Sequence, residues 1–174
     1  MQYLEGHYYH IYNRGAYRKR IFFEDENYWF LIRQIKKYTE KYSISLVAFC
    51  LMPNHYHLLL KLNPSGNVGQ CLRSMFTSYT QAMNKRYLLS GTLFQGQCKS
   101  KHIETDEHCK HLIRYIHRNP VEANMCANAK DWAYSDYSTW IANAGVGYLI
   151  RDAFFQKGEF YRQFVNIDRT IPMC

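Results

Sequence analysis

Two apolar runs, residues 44–51 and 55–62, stand on either side of the dipeptide Pro53-Asn54. No other feature of the chain restricts its fold as much. Each run has strand length and strand composition, and Pro-Asn is turn chemistry. A connection this short makes the two strands an antiparallel hairpin. Within Met52-Pro53-Asn54-His55-Tyr56-His57-Leu58-Leu59-Leu60, successive side chains alternate between the faces of the sheet. Tyr56, Leu58, Leu60 and Leu62 share one face, which is apolar and needs helices over it. His55 and His57 share the other, about 7 Å apart along the strand. Two neutral imidazoles so placed make half of a divalent-metal site. A His-x-His by itself is more often ordinary sheet surface, so the rest of the chain has to decide.

The remaining segments fill in the architecture. Residues 7–13 (His-Tyr-Tyr-His-Ile-Tyr-Asn) read as an aromatic strand ending at Asn13-Arg14-Gly15, with Tyr8, His10 and Tyr12 on one face. A basic loop (Arg14, Arg18, Lys19, Arg20) leads to a helix that opens on Asp25 and Glu26 and runs to about residue 42. Its apolar positions Tyr28, Leu31, Ile32, Ile35 and Tyr38 follow helical spacing. A second helix spans about residues 68–88, with Leu72, Met75, Phe76, Tyr79, Met83 and Tyr87 as its stripe and Arg73, Lys85 and Arg86 outside it. Residues 92–103 fit extended structure, with Lys99 and Lys101 exposed.

Thr105 and Asp106 start a third helix, and Pro120 enforces a stop nearby. Cys109, Leu112, Ile113 and Ile116 form its apolar arc. His108, His111, Tyr115 and Asn119 form an adjacent arc that the core does not need. Tyr115 and Asn119 lie one turn apart and are neighbours. By spacing alone, Tyr115 reads as a half-buried tyrosine at the edge of the stripe, and Asn119 as a helix-terminal residue before a proline. Trp132, Tyr134, Tyr137 and Trp140 suggest a short helix ahead of an aromatic-rich tail. The order strand, helix, two strands, helix, strand, helix predicts an α+β fold with helices on an antiparallel sheet. It reads as a single domain over residues 1–174, with a core of about 7–124 and an extension of about 125–174.

Charge narrows what such a sheet binds. The formal net charge is +8, and the chain carries 16 tyrosines. Cations interleaved with aromatic rings suit a nucleic acid with unstacked bases. The 6 cysteines are scattered, with no Cys-x-x-Cys pair, which argues against a zinc ribbon or a disulfide framework. With no signal-peptide pattern and no apolar run of membrane-spanning length, the expected location is the cytoplasm and no membrane partner is expected.

Taken together, these segments resemble the REP-associated tyrosine transposases, a branch of the single-tyrosine HUH endonuclease and transposase superfamily related to insertion-sequence transposases. The likeness lies in Tyr9-His10-Ile11-Tyr12-Asn13-Arg14-Gly15, in Ala48-Phe49-Cys50-Leu51-Met52-Pro53-Asn54-His55-Tyr56-His57-Leu58-Leu59-Leu60, and in Ser78-Tyr79 with Asn84-Lys85-Arg86. It continues through Gly91-Thr92-Leu93-Phe94-Gln95-Gly96 and Arg114-Tyr115-Ile116-His117-Arg118-Asn119-Pro120-Val121. The resemblance implies a ferredoxin-like or RRM-like sheet with the histidine pair on a central strand. It implies Tyr115 as nucleophile and His55, His57 and Asn119 as ligands of Mg²⁺ or Mn²⁺. His10, His108 and His111 are reserve candidates for the third ligand or for proton transfer, and each reads as mostly structural. The implied activity is cleavage and strand transfer of single-stranded or hairpin DNA, at repeats or element ends, through a 5′-phosphotyrosine. Arg14, Arg18, Lys19, Arg73, Lys85, Arg86, Lys99 and Lys101 are the expected DNA contacts, and a monomer is favoured over a dimer. Two other readings stay open: a non-catalytic RRM-like domain that only binds a single strand, and a metal-dependent hydrolase in which water attacks.

Overall fold

The computed structural model of the protein describes residues 2–142 and 158–166. Its elements are β1 (Tyr8–Arg14), α1 (Asp25–Lys41), β2 (Ile44–Met52), β3 (His55–Leu62), α2 (Val68–Tyr87), β4 (Lys99–Ile103) and α3 (Asp106–Glu122). Two short helices follow, α4 (Tyr137–Ile141) and α5 (Gly158–Asn166). The sheet is antiparallel throughout in the order β2-β3-β1-β4. This is the ferredoxin-like α+β arrangement, and it makes β3 a central strand as expected.

Two of the long helices start where the chain supplies an acceptor for their free amides. Asn67 Oδ1 accepts from Gln70 N at 3.0 Å ahead of α2, and Thr105 Oγ1 accepts from His108 N at 3.2 Å ahead of α3. Asn27 Oδ1 accepts from Phe23 N at 2.9 Å and ties down the start of α1.

The sheet separates two cores. On one side Tyr9, Ile11, Leu51, Tyr56, Leu58 and Leu60 pack against α1 and α2. On the other, Ala48, Cys50, Met52, Leu59 and Ile103 pack against α3 and the aromatic segment after it. The histidine face is therefore covered as well, by the helix whose apolar arc Cys109, Leu112, Ile113 and Ile116 is fully buried.

Two local expectations are corrected. Residues 92–98 are not a strand: only Phe94 makes an isolated bridge, to Gly15, and the ladder begins at Lys99. Gly96, at φ 70°, turns the chain there. The short helix expected around Trp132 and Tyr134 starts only at Tyr137, because both residues precede it to cover β2 and α1. α3 stops at Glu122, two residues past Pro120 and close to where the proline predicts. Burial of Ile116, His117, Asn119 and Pro120 holds that last turn helical against the proline's preference. Of the tail beyond residue 142, only α5 lies within the described residues. The cysteines among the described residues are free. No helix among the described residues is long and apolar enough to cross a membrane.

Candidate active site

Antiparallel pairing sets Tyr12 opposite His57 and Arg14 opposite His55, and on the other side of β1 sets Tyr12 opposite Lys99 and His10 opposite Lys101. Directly opposed residues share a face. Thus His55, His57, His10, Tyr12, Arg14, Lys99 and Lys101 all emerge on the side that α3 crosses. There the Tyr115 ring stands edge-on to His57, with centroids 5.3 Å apart. Tyr115 is 39% exposed although its helix is well packed, so its ring is reachable from solvent. One turn on, Asn119 Oδ1 reaches His55 Nε2 at 3.1 Å. Tyr115, His55, His57 and Asn119 are thus brought together across 58 to 64 residues of chain.

Both imidazoles are held from behind. His57 Nδ1 is 2.9 Å from His10 Nε2, and the two rings stack. His55 Nδ1 is 2.7 Å from Asn54 Oδ1, whose own amide nitrogen donates to the Arg18 carbonyl at 3.3 Å. That second bond fixes which way the Asn54 amide faces, so its oxygen accepts and the His55 proton sits on Nδ1. The Nε2 lone pair of His55 then confronts another acceptor, Asn119 Oδ1. Such a contact is stable with a proton between the atoms, with the amide turned over, or with a cation held by both.

Burial works against the proton. It lowers the His55 pKa, although the Asn119 contact pulls the other way. His57 is pushed well below its ordinary value by burial first, then by His10 and His55. His10 is lowered to about 4, by burial, then by Lys101 and His108. All three rings are neutral at physiological pH, which is the ligating form. The site thus fits a divalent cation. His57 Nδ1 faces His10 and leaves Nε2 free, while His55 Nε2 and Asn119 Oδ1 already converge. Among the described residues no cluster of three His, Cys, Asp or Glu side chains is arranged around a metal. The third donor here is an amide oxygen, which lies outside that ligand class.

The reserve histidines fall into other roles. His10 is engaged with His57 through its Nε2. His111 Nε2 pairs with Glu107 Oε1 at 2.8 Å on the outer side of α3. The His108 pKa is lowered by burial and by Lys101, on the same face of the sheet.

The expected DNA contacts divide. Arg14, Lys99 and Lys101 flank the histidines, with Lys99 5.9 Å over the Tyr12 ring. Arg18 and Lys19 lie just past the end of β1. Arg73, Lys85 and Arg86 belong to α2 on the opposite side of the sheet, and Arg86 is ion-paired with Glu24.

Sequence reasoning missed what anchors α3. His117, fully buried two residues after Tyr115, has Asp136 Oδ1 at 2.7 Å on Nε2 and the Tyr161 hydroxyl on Nδ1. Asp136 also accepts from Phe49 N at 2.7 Å and from Trp140 Nε1 at 3.0 Å. Trp132 and Trp140 donate from their indoles to the Leu51 and Val47 carbonyls, each at 3.0 Å. The segment after Asn124 is thus a polar clasp that fixes α3 to β2. Its only sequence signal is the pairing of an acid with nearby tryptophans.

Comparison with known proteins gives a consistent picture. The profile of the family described as IS200-like transposases matches residues 3–119. A Haemophilus influenzae protein bearing the name REP-associated tyrosine transposase is 29% identical over 114 residues, covering 59% of this chain and 64% of that protein. The chain therefore matches less than two thirds of that relative's length. A solved structure of a REP-associated tyrosine transposase bound to a REP hairpin superposes with a TM-score of 0.70 at 19% identity, over 82% of this chain and 83% of that one. At that identity the likeness is one of fold.

Proposed function

This chain belongs to the IS200-like transposase family, and from that premise we propose that it is a divalent-metal-dependent endonuclease and strand transferase acting on single-stranded or hairpin DNA. One observation carries the reading: a half-exposed tyrosine stands edge-on to a neutral, buried histidine whose neighbour shares an acceptor pair with Asn119. A domain that only bound nucleic acid would need none of these groups.

In this reading the Tyr115 phenolic oxygen attacks the scissile phosphorus. The bond to the 3′-oxygen breaks, the tyrosine proton goes to solvent, and the departing oxygen takes up a proton. The product is a 5′-phosphotyrosine and a free 3′-hydroxyl. Because the linkage stays a phosphodiester, the 3′-hydroxyl of another strand can reverse the step without an external energy source. His55, His57 and Asn119 would hold Mg²⁺ or Mn²⁺. When bound there, the ion supplies Lewis-acid polarisation of the phosphate. The mixed nitrogen and oxygen donor set suits Mn²⁺ better than Mg²⁺. His10 and Asn54 hold the two imidazoles with Nε2 forward, and the clasp around Asp136 keeps Tyr115 over them.

Arg14, Lys99 and Lys101 bind phosphates beside the site, and Arg18 and Lys19 bind them at its end. Arg73, Lys85 and Arg86 are left to DNA wrapping the α2 side. Residues 1–174 form a single catalytic domain, with a core of about 7–124 and an extension of about 125–174. The protein works as a monomer in the cytoplasm.

The test is to incubate the protein with hairpin DNA and Mn²⁺ and resolve the products on a denaturing gel. A covalent adduct that Tyr115→Phe abolishes, with DNA binding kept, is the expected result. Cleavage without an adduct would make it a hydrolase. A shift seen only on native gels would make it a binding domain.

A further inference from the structure

Between β1 and α1 the chain does something that its sequence does not require. Tyr17 has φ 55° and Arg18 φ 60°, two consecutive non-glycine residues in the left-handed region. Bulky side chains adopt that conformation rarely and at a cost, and it persists only where the surroundings enforce it.

The surroundings here are specific. Gly15 lets the Lys19 carbonyl come so close that a Cβ would stand 2.0 Å from its oxygen. Ala16 N donates to Leu93 O at 3.0 Å, Ile21 N to Pro53 O at 2.9 Å, and the Arg18 carbonyl accepts from Asn54. The loop is tied down at both ends and in the middle.

What this rigid loop does with its strain is to hold Tyr17 outward, 90% exposed. Tyr17 lines a cleft of about 540 Å³ together with Lys19, Arg20, Phe23, Asn84 and Leu89, and no carboxylate lines it among the described residues. On the α2 side, Leu88 is also left-handed, at φ 51°, and also 90% exposed. The cleft joins the candidate active site by two hydrogen bonds, Arg18 O to Asn54 and Asn54 to His55.

We propose that Tyr17 and this cleft form a subsite for one unstacked nucleobase of the single strand flanking the cleavage point. The base stacks on the Tyr17 ring, and Lys19 and Arg20 take the adjacent phosphates. The argument for this occupant is complementarity. An aromatic ring beside two cations, in a cleft of single-nucleotide scale with no acid among the described residues, matches a base with its phosphates better than an apolar protein segment. Holding the ring in place beforehand removes the ordering cost of binding. The inference rests on the DNA-processing reading above and adds a second point of contact to it.

The test uses hairpin oligonucleotides with 2-aminopurine placed in turn along each single-stranded flank. The parent protein should change the fluorescence strongly at one position. Tyr17→Ala should abolish that response and weaken binding by roughly 5- to 100-fold, as expected for one lost stacking contact. Tyr17→Phe should keep both. Tyr17→Gly, which relieves the left-handed strain, should melt at or above the parent temperature while binding as weakly as Tyr17→Ala. If the parent binds the hairpin DNA and Tyr17→Ala matches it in affinity and fluorescence, this inference fails and the DNA reading stands. If the parent binds no DNA, both fail. If Tyr17→Ala alters only self-association of the DNA-free protein, the surface is a contact between copies and the proposal is overturned.

Discussion

The two faces of β3 come from the same 8 residues, yet they are stabilised in opposite ways. Tyr56, Leu58, Leu60 and Leu62 are closed over by carbon from α1 and α2. His55 and His57 lie under α3, where most contacts that matter are single hydrogen bonds to a named partner. The first face tolerates any packing of suitable volume. The second is specified atom by atom, and its covering helix is held by a polar clasp rather than by apolar contact alone. One strand thus supplies a stability face and a chemistry face, separated only by the alternation of side chains.

Exchanging the damage between the faces tests that division most severely. His57→Ala should abolish cleavage and metal-dependent tightening while the protein stays folded. Leu58→Ala, its neighbour on the other face, should cost roughly 2–5 kcal/mol of stability yet leave the activity of the folded fraction intact. Denaturant melts and adduct yields on both variants check this, and an inactive but fully stable Leu58→Ala would break the comparison.

A proton should also tell the faces apart. Unfolded His10 takes up a proton near pH 6.5, but in the folded protein only near about 4. Between those values the unfolded state binds more protons, so stability rises with pH across the window and levels off above it. The lowered His55 and His57 act with the same sign. For His10 alone the full change is about 3 kcal/mol. Melting curves in chelator from pH 7.5 to 4 should show the decline, and His10→Gln should remove part of it. Identical slopes for parent and variant would mean that His10 is not held neutral.

A smaller effect belongs to orientation. His10→Ala removes the partner of His57 Nδ1 and should weaken Mn²⁺ binding about 10- to 100-fold, read by calorimetry without DNA. His10→Gln, whose amide oxygen can accept the same proton, should recover much of it. Equal losses in both variants would point to packing instead of orientation.

The mildest prediction concerns phosphate contacts. Lys99→Ala and Lys101→Ala should each reduce the salt dependence of single-strand binding, by about 0.7 in the log–log slope. Arg73→Ala, on the opposite side of the sheet, should leave the slope nearly unchanged for a short single strand and lower it only for DNA long enough to wrap α2.

By itself the sequence determined β1, β2 and β3, the three long helices and the division of β3 into two faces. Periodicity depends only on which side chains follow one another, so Tyr56, Leu58 and Leu60 had to be core, and Tyr115 and Asn119 had to be neighbours. It also contained the motifs that carry the family resemblance. Whether the Tyr115 arc of α3 would meet the His55 face was left open by spacing, since that depends on where the helix crosses the sheet. Tertiary structure decided this, together with three things that local pattern cannot encode. His10 meets His57 only because β1 pairs with β3 in that register. Asn54, a turn residue by every local criterion, becomes the acceptor that fixes the His55 proton. Asp136, in a segment with little periodicity, reaches back to Phe49 and His117 across the second core. Each of these is a contact between residues distant in sequence, or a choice between two orientations of one side chain. Their energy exists only once the backbone has brought the partners together.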